Sequence, residues 1–303
     1  MDFLNNISIK NKHLIILCCV ILGLVLTTTV SIYKFNSIGE LNTILLIKEE
    51  LSSDVLTLRK HEKDFLARKD IKYGEKFSKS IAHTKDGIAR LEATMSSQGL
   101  QTSHATTLSG LVSNYGTIFQ QIVSVQAEIG LDPKSGLYGS LRTAVHEIEA
   151  LAKDAEQYEI LFHMLMLRRN EKDFMLRRDE KYIAKFESNY AKFNVALDEY
   201  QPVSIDEMKS KITRYRADFN NLTAKEIKLG LDANSGLLGE LRNTIHKTEE
   251  SFNSLTEFVN TEIAQTTENV YTTLGSIIVL ILVLLTALMT MISRAIYQPV
   301  QSI

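Results

Sequence analysis

The sequence predicts an all-α membrane protein: two stacked four-helix bundles, made from six helices of which two are long and shared, held between two transmembrane helices. Three observations carry this. Two charge-free apolar runs, Leu14–Ile32 and Val270–Ser293, lie towards the two ends of the 303-residue chain. Between them only Pro133 and Pro202 interrupt the sequence, and alternating β-branched runs are scarce. Apolar residues there recur at helical spacing. Ile44, Leu51, Leu58 and Phe65 fall seven apart, with Leu41 and Val55 in the complementary positions, a seam suited to shallow-angle packing in a bundle.

Taken in order, residues 1–13 read as a cytoplasmic N-terminus and 14–34 as a first membrane span. About 20 apolar residues cross a hydrocarbon core as a helix. A retained span is preferred over a cleaved signal peptide, because the run is longer than a usual signal core and no small-x-small site precedes Tyr33. Breaks at Ser96–Thr102, GLDPKSG, Lys153–Gln157, Tyr200–Val203 and GLDANSG divide the next part into helices at about 35–97, 102–129, 137–153, 157–199, 204–229 and 236–270. Residues 270–293 form the second span. Lys10, Lys12 and His13 precede the first span and Arg294 follows the second, so the positive-inside bias places both termini in the cytoplasm. The domain at 35–269 is then outside, in the periplasm of a double-membrane bacterium. Neither span carries an ionisable residue, which argues against a pump, channel or transporter.

The middle of the chain is duplicated. LRKHEKDFLARKDIKYGEKF (58–77) aligns with LRRNEKDFMLRRDEKYIAKF (167–186) at 12 of 20 identical positions, and GLDPKSGLYGSLRTAVH (130–146) with GLDANSGLLGELRNTIH (230–246) at 10 of 17. Two copies are too few for a solenoid and imply two similar modules. An even number of passes returns the chain to the membrane. The expected division is a distal bundle at about 68–177 and a proximal one at about 35–67 plus 178–269, with EKDF marking where each long helix passes between bundles. Asp70 and Asp179 are placed to cap a restarted helix at a break there.

This layout, with its doubled LRxxEKDFxxRxDxKY and GLDxxSGLxGxLRxxxH blocks, resembles the bacterial methyl-accepting chemotaxis proteins that carry a helical bimodular sensor domain, which also occurs in some sensor histidine kinases. The resemblance covers nearly the whole chain, and residues 294–303, with Pro299 after the second span, are similar to the start of a HAMP linker. It implies a homodimeric transducer in the inner membrane that senses small organic acids in one or both modules. Signalling to cytoplasmic partners would pass through a region beyond residue 303. The alternative is a sensor histidine kinase or another HAMP-linked receptor, with a periplasmic binding protein as a further candidate for what is sensed.

The residue types fit an anionic ligand. Arg142 and His146, like Arg242 and His246, are spaced i, i+4 and share a helix face. A guanidinium offers a carboxylate a planar fork, and imidazole adds a further N–H. Arg59 and Arg168 precede EKDF, and Arg177 and Arg178 follow its second copy. Ligand contact competes with intrahelical pairing: Arg59 with Glu62, Arg168 with Glu171, Asp173 with Arg177. Glu62 and Glu171 fall on the inward seam and read as structural anchors, since a buried carboxylate needs a partner. Asp132, Asp232, Ser135 and Ser235 read as turn and cap residues. A net charge of −2 excludes a nucleic-acid binder of the usual basic kind. Cys18 and Cys19 are adjacent and build no disulfide framework. No enzyme, metal or cofactor motif is present in the sequence, so neither catalysis nor a cofactor is expected.

Overall fold

The computed structural model describes residues 8–154 and 156–300, and among these every regular element is an α-helix. Eight helices follow in order: α1 (Ile9–Arg68), α2 (Ile71–Ser97), α3 (Ser103–Ile129), α4 (Gly136–Asp154), α5 (Tyr158–Arg177), α6 (Lys181–Tyr200), α7 (Ile205–Leu229) and α8 (Gly236–Val300). Residues 1–7 of the expected cytoplasmic terminus and 301–303 of the expected linker lie outside the described residues, as do the side chains of Ile9, Lys12, Asp154 and 294–300.

The six-helix expectation is corrected by two reversals. Both long helices stop one turn after EKDF. Lys69 and Arg178 adopt the left-handed conformation, φ 51° in each, and their amides donate to Phe65 O and Phe174 O, both 2.7 Å. Such a cap closes a helix without glycine at a cost of about 1 kcal/mol. The next residue starts a new helix. Asp70 Oδ1 accepts from the amide of Lys72, and Asp179 Oδ1 from that of Lys181, each at 3.0 Å. The lysine ammoniums beside them hold both carboxyls below the usual range. The break was legible in the sequence, but its angle was not. The chain turns back, so residues 71–97 run beside α1 rather than beyond it.

The chain divides into two compact units, one comprising Leu51–Ile88 and Ala105–Ser251, the other the remaining residues. In the first unit the helices that touch form two groups of four. Parts of α1, α2, α3 and α8 meet through Phe65 on Phe119, Phe77 on Tyr115 and Phe119, Asn114 on Thr244, and Arg59 on Glu249. Helices α4, α5, α6 and α7 meet through Phe174 and Phe186 on Phe219, Arg168 near Glu149, Ser140 on Asp218, and Arg216 on Glu187. This grouping differs from the expected division at 68–177. The groups correspond residue for residue. Phe65, Phe77, Tyr115 and Phe119 match Phe174, Phe186, Tyr215 and Phe219, and all eight rings are buried. The fourth helix of each group comes from the other half of the sequence, because the GLD loops carry α3 across to α4 and α7 across to α8. Gly136 and Gly236 make those loops possible. Their φ values are +56° and +55°, and a Cβ there would stand 2.5 Å from Glu128 O and 2.6 Å from Lys228 O.

The second unit holds the ends of α1, α2, α3 and α8 with the two apolar runs. Leu41, Ile44, Leu91, Met95, Leu255 and Val259 are among its buried residues. Glu50 accepts from Arg90 at 2.9 Å, and His104 stacks on Phe258 at 4.9 Å. Within it α1 and α8 each contain a stretch long and apolar enough to cross a membrane. These stretches meet at Gly23, where a Cβ would come within 3.1 Å of the Ile281 side chain. Their other faces expose Leu22, Leu24, Val283 and Leu284, as lipid-facing residues would be.

Because Phe77 and Phe186 are fully buried at the centre of matching aromatic clusters, truncation of either to alanine should cost about 3–5 kcal/mol. Circular dichroism during denaturation should show this for both variants. A loss under about 1 kcal/mol in either would contradict the packing.

Candidate functional site

The EKDF motif builds a site by splitting its four side chains between core and solvent. The phenylalanine fills the aromatic cluster. The glutamate, one turn earlier on the same face, is buried as well: Glu62 is 1% exposed and Glu171 3%. Each carboxylate is met by a tyrosine hydroxyl from the facing helix, Tyr115 at 2.7 Å and Tyr215 at 2.5 Å, and by the lysine beside it, Lys63 at 2.9 Å and Lys172 at 2.7 Å. Burial first, and then the neighbouring carboxylate charge, push both phenols far above their usual range, so they stay donors. The expected inward placement of Glu62 and Glu171 is what the structure shows.

Two cavities open over these carboxylates. Cavity 1, about 410 Å³, is lined from α1 by Arg59, Glu62, Lys63 and Leu66, from the second GLD loop, and from α8 by Leu241, Arg242, Ile245 and His246. Arg178 enters it from the α5–α6 turn. Cavity 2, about 380 Å³, is lined from α5 by Arg168, Glu171, Lys172 and Met175, from the first GLD loop, and from α4 by Tyr138 and Arg142. Lys69 enters it from the α1–α2 turn. Every residue of cavity 2 has its repeat counterpart in cavity 1, down to the cation supplied by the reversal of the other half, Lys69 for Arg178. The duplication has copied a site.

Both linings are net cationic. Cavity 1 sets Arg59, Lys63, Arg178 and Arg242 against Glu62 and Asp232. Cavity 2 sets Lys69, Arg142, Arg168 and Lys172 against Glu171 and Asp132. Some of this charge is committed. Arg59 donates to Glu249 at 2.6 Å, Arg168 lies 4.0 Å from Glu149, and Arg178 pairs with Glu226. The expected pairing of Arg59 with Glu62 and of Arg168 with Glu171 is therefore corrected: the adjacent lysines are closer, and the arginines turn to α8 and α4. The aspartates are occupied in the loops. Asp132 Oδ1 accepts from the amide of Lys134 and Asp232 Oδ1 from that of Asn234, both at 2.7 Å, while Ser135 and Ser235 accept from the loop amides. Arg242 reaches only the amide oxygen of Asn234, at 3.3 Å. The cations with no carboxylate partner thus face open cavity, the arrangement that suits a small anion.

Of the residues expected at a site, Arg59, Arg178, Arg242 and His246 come together in cavity 1, and Arg142 and Arg168 in cavity 2. Arg177 lines neither. It pairs with Asp173 at 3.3 Å, the intrahelical reading, and lies over Tyr182. His146 also lies outside both linings, 3.6 Å from Glu149. The sequence reading missed Lys63, Lys172, Lys69 and Tyr138. Lys63 and Lys172 were visible inside EKDF. The crossing of Lys69 and Arg178 into the opposite cavity depends on the left-handed turns, which no residue type there announces.

Tyr115→Phe and Tyr215→Phe should each lower stability by about 1.5–3 kcal/mol, the value of a hydrogen bond to a charged group left without its donor. Thermal unfolding followed by circular dichroism measures this. Variants as stable as the parent would show that the carboxylates do not need the phenols.

No family model, curated protein or solved structure matches the chain, so the reading of the two cavities rests on their own residues and geometry.

Proposed function

We propose that the protein is a two-span receptor of the inner membrane, of the methyl-accepting chemotaxis type, whose periplasmic helical domain binds small organic acids. One observation carries the reading. Two repeat-related cavities each converge arginines and lysines in excess of carboxylates, and cavity 1 is lined by α1 and α8, the two helices that hold the apolar spans. In this reading two groups of helices stacked at the GLD loops are the two modules. A carboxylate bridging Arg59 on α1 and Arg242 on α8 favours whichever relative placement of the two helices brings its donors into register. The differential affinity for the two placements is the free energy available to move one span against the other.

The binding site is tested at Arg242, which is exposed and makes one long bond to Asn234. Arg242→Ala should weaken binding of a carboxylate such as succinate about 10- to 100-fold, the loss of one charge-assisted group of about 1.5–3 kcal/mol. The melting temperature without ligand should barely change. Unaltered affinity with a sharply lower melting temperature would make Arg242 a structural residue and remove cavity 1 as the site.

Orientation is tested separately. With Cys18 and Cys19 replaced by serine, a cysteine at exposed Lys79 should react with an impermeant maleimide on intact spheroplasts. Reaction only after lysis would place the domain in the cytoplasm and exclude a periplasmic sensor.

A further inference from the structure

The two cavities share one buried carboxylate. Glu226, near the end of α7, is 8% exposed. Its Oε1 accepts from the Tyr138 hydroxyl at 2.9 Å, and its Oε2 accepts from Arg178. Tyr138 lines cavity 2 and Arg178 lines cavity 1. Arg178 also donates to Gly230 O at 3.1 Å, while its buried Nε has no partner. Lys69, the other cation at this place, lines cavity 2 with its ammonium 5.4 Å from the Tyr138 ring centroid. Burial lowers the pKa of Lys69, and the charge of Glu226 opposes that shift. None of this is duplicated. The counterpart of Glu226 is Gln126, which donates to Gly130 O within its own loop at 2.9 Å, and the counterpart of Tyr138 is Leu238. The repeat symmetry is broken at the one point where the two cavities touch a common group.

We propose that Glu226 couples the two anion cavities, so that filling either one weakens the other. The inference rests on the anion-binding reading of both cavities. An anion in cavity 1 competes with Glu226 for the guanidinium of Arg178, whose Nε is an unused donor. As Arg178 turns to the ligand, Glu226 retains only a neutral phenol, and a buried carboxylate held by a neutral donor alone is costly. Lys69 already feels the charge of Glu226 and is the cation that moves towards it. Cavity 2 then loses a cation from its lining. In the other direction, an anion that engages Lys69 leaves Glu226 more dependent on Arg178, which is withheld from cavity 1. Linkage requires that the two effects have the same size. Glu226 acts here as a positioning residue: it lines neither cavity, and it sets which of two cations is free.

Calorimetric titration of the full chain in lipid nanodiscs with succinate tests this. Arg142→Ala isolates cavity 1, Arg242→Ala isolates cavity 2, and the parent reports both. In the parent, the overall two-site constant should fall about 5- to 20-fold below the product of the two single-site constants. Glu226→Gln, which installs the residue found at position 126, should bring the two into agreement with both sites still binding. Agreement already in the parent would overturn the coupling and leave the sites standing. Absence of succinate binding to the parent and to both arginine variants would overturn the anion reading, and the coupling with it. Should Glu226→Gln fail to fold by circular dichroism, Tyr138→Phe decides. It removes only the hydroxyl, and a coupling factor unchanged by it would refute the role of the shared carboxylate.

Discussion

A carboxylate removed from water has to be met by donors, and Glu62 and Glu171 impose that condition on everything around them. Each is held by a tyrosine from the facing helix and by the next residue in its own helix. The tyrosine has to lie at the level of the glutamate, which fixes the register of α3 against α1 and of α7 against α5. Apolar contacts alone tolerate a slip of one turn between helices; a buried ion with a single correct partner does not. With that register set, Phe65 and Phe174 meet Phe119 and Phe219, the reversals fall beyond the aromatic clusters, and the GLD loops close over the cavities. EKDF recurs because it specifies all of this in about one turn of helix.

Legibility in the sequence followed the range of the interaction. The helical class, the apolar runs, the duplication and the inward placement of the glutamates are local or periodic, and they could be read directly. The loop roles of Asp132, Ser135 and their counterparts could also be read, because an aspartate two residues before an amide makes its turn wherever it stands. The path of the chain at 68–71 and 177–181 could not. The residues show that the helix breaks there, but the same Arg-Lys-Asp serves a kink or a reversal, and the choice is made by tertiary contacts such as Phe77 on Phe119. From that one angle came eight helices instead of six, and it carries Arg178 across to Arg59 and Arg242. Arg177 is the last residue of α5 and Arg178 the left-handed residue that caps it, and that difference separates a surface pair from a cavity lining.

The repeat comparison carries a further lesson about specificity. Where the halves agree, the residues serve packing, loop geometry and charge. Some of the differences, at Tyr138 and Leu238, Lys69 and Arg178, and Pro133 and Ala233, lie on the walls of the cavities. A lysine presents a point charge and an arginine a fork, and a tyrosine fills space that a leucine leaves.

The exchange of fourth helices has a consequence for how the chain is made. Helices α1, α2 and α3 present their aromatic cluster early in synthesis, but the helix that closes their group is α8. The ion pair of Arg59 with Glu249 joins residues 190 apart. Loop closure over such a span has to be paid before any contact rewards it, which slows the step. Helices α4 to α7 are contiguous and can assemble as soon as they emerge. The later half of the chain should therefore fold first, while α1, α2 and α3 wait as an incomplete three-helix sheath with an apolar groove in need of protection. The duplication that gave the protein two repeat-related cavities left their helix groups with unequal folding histories.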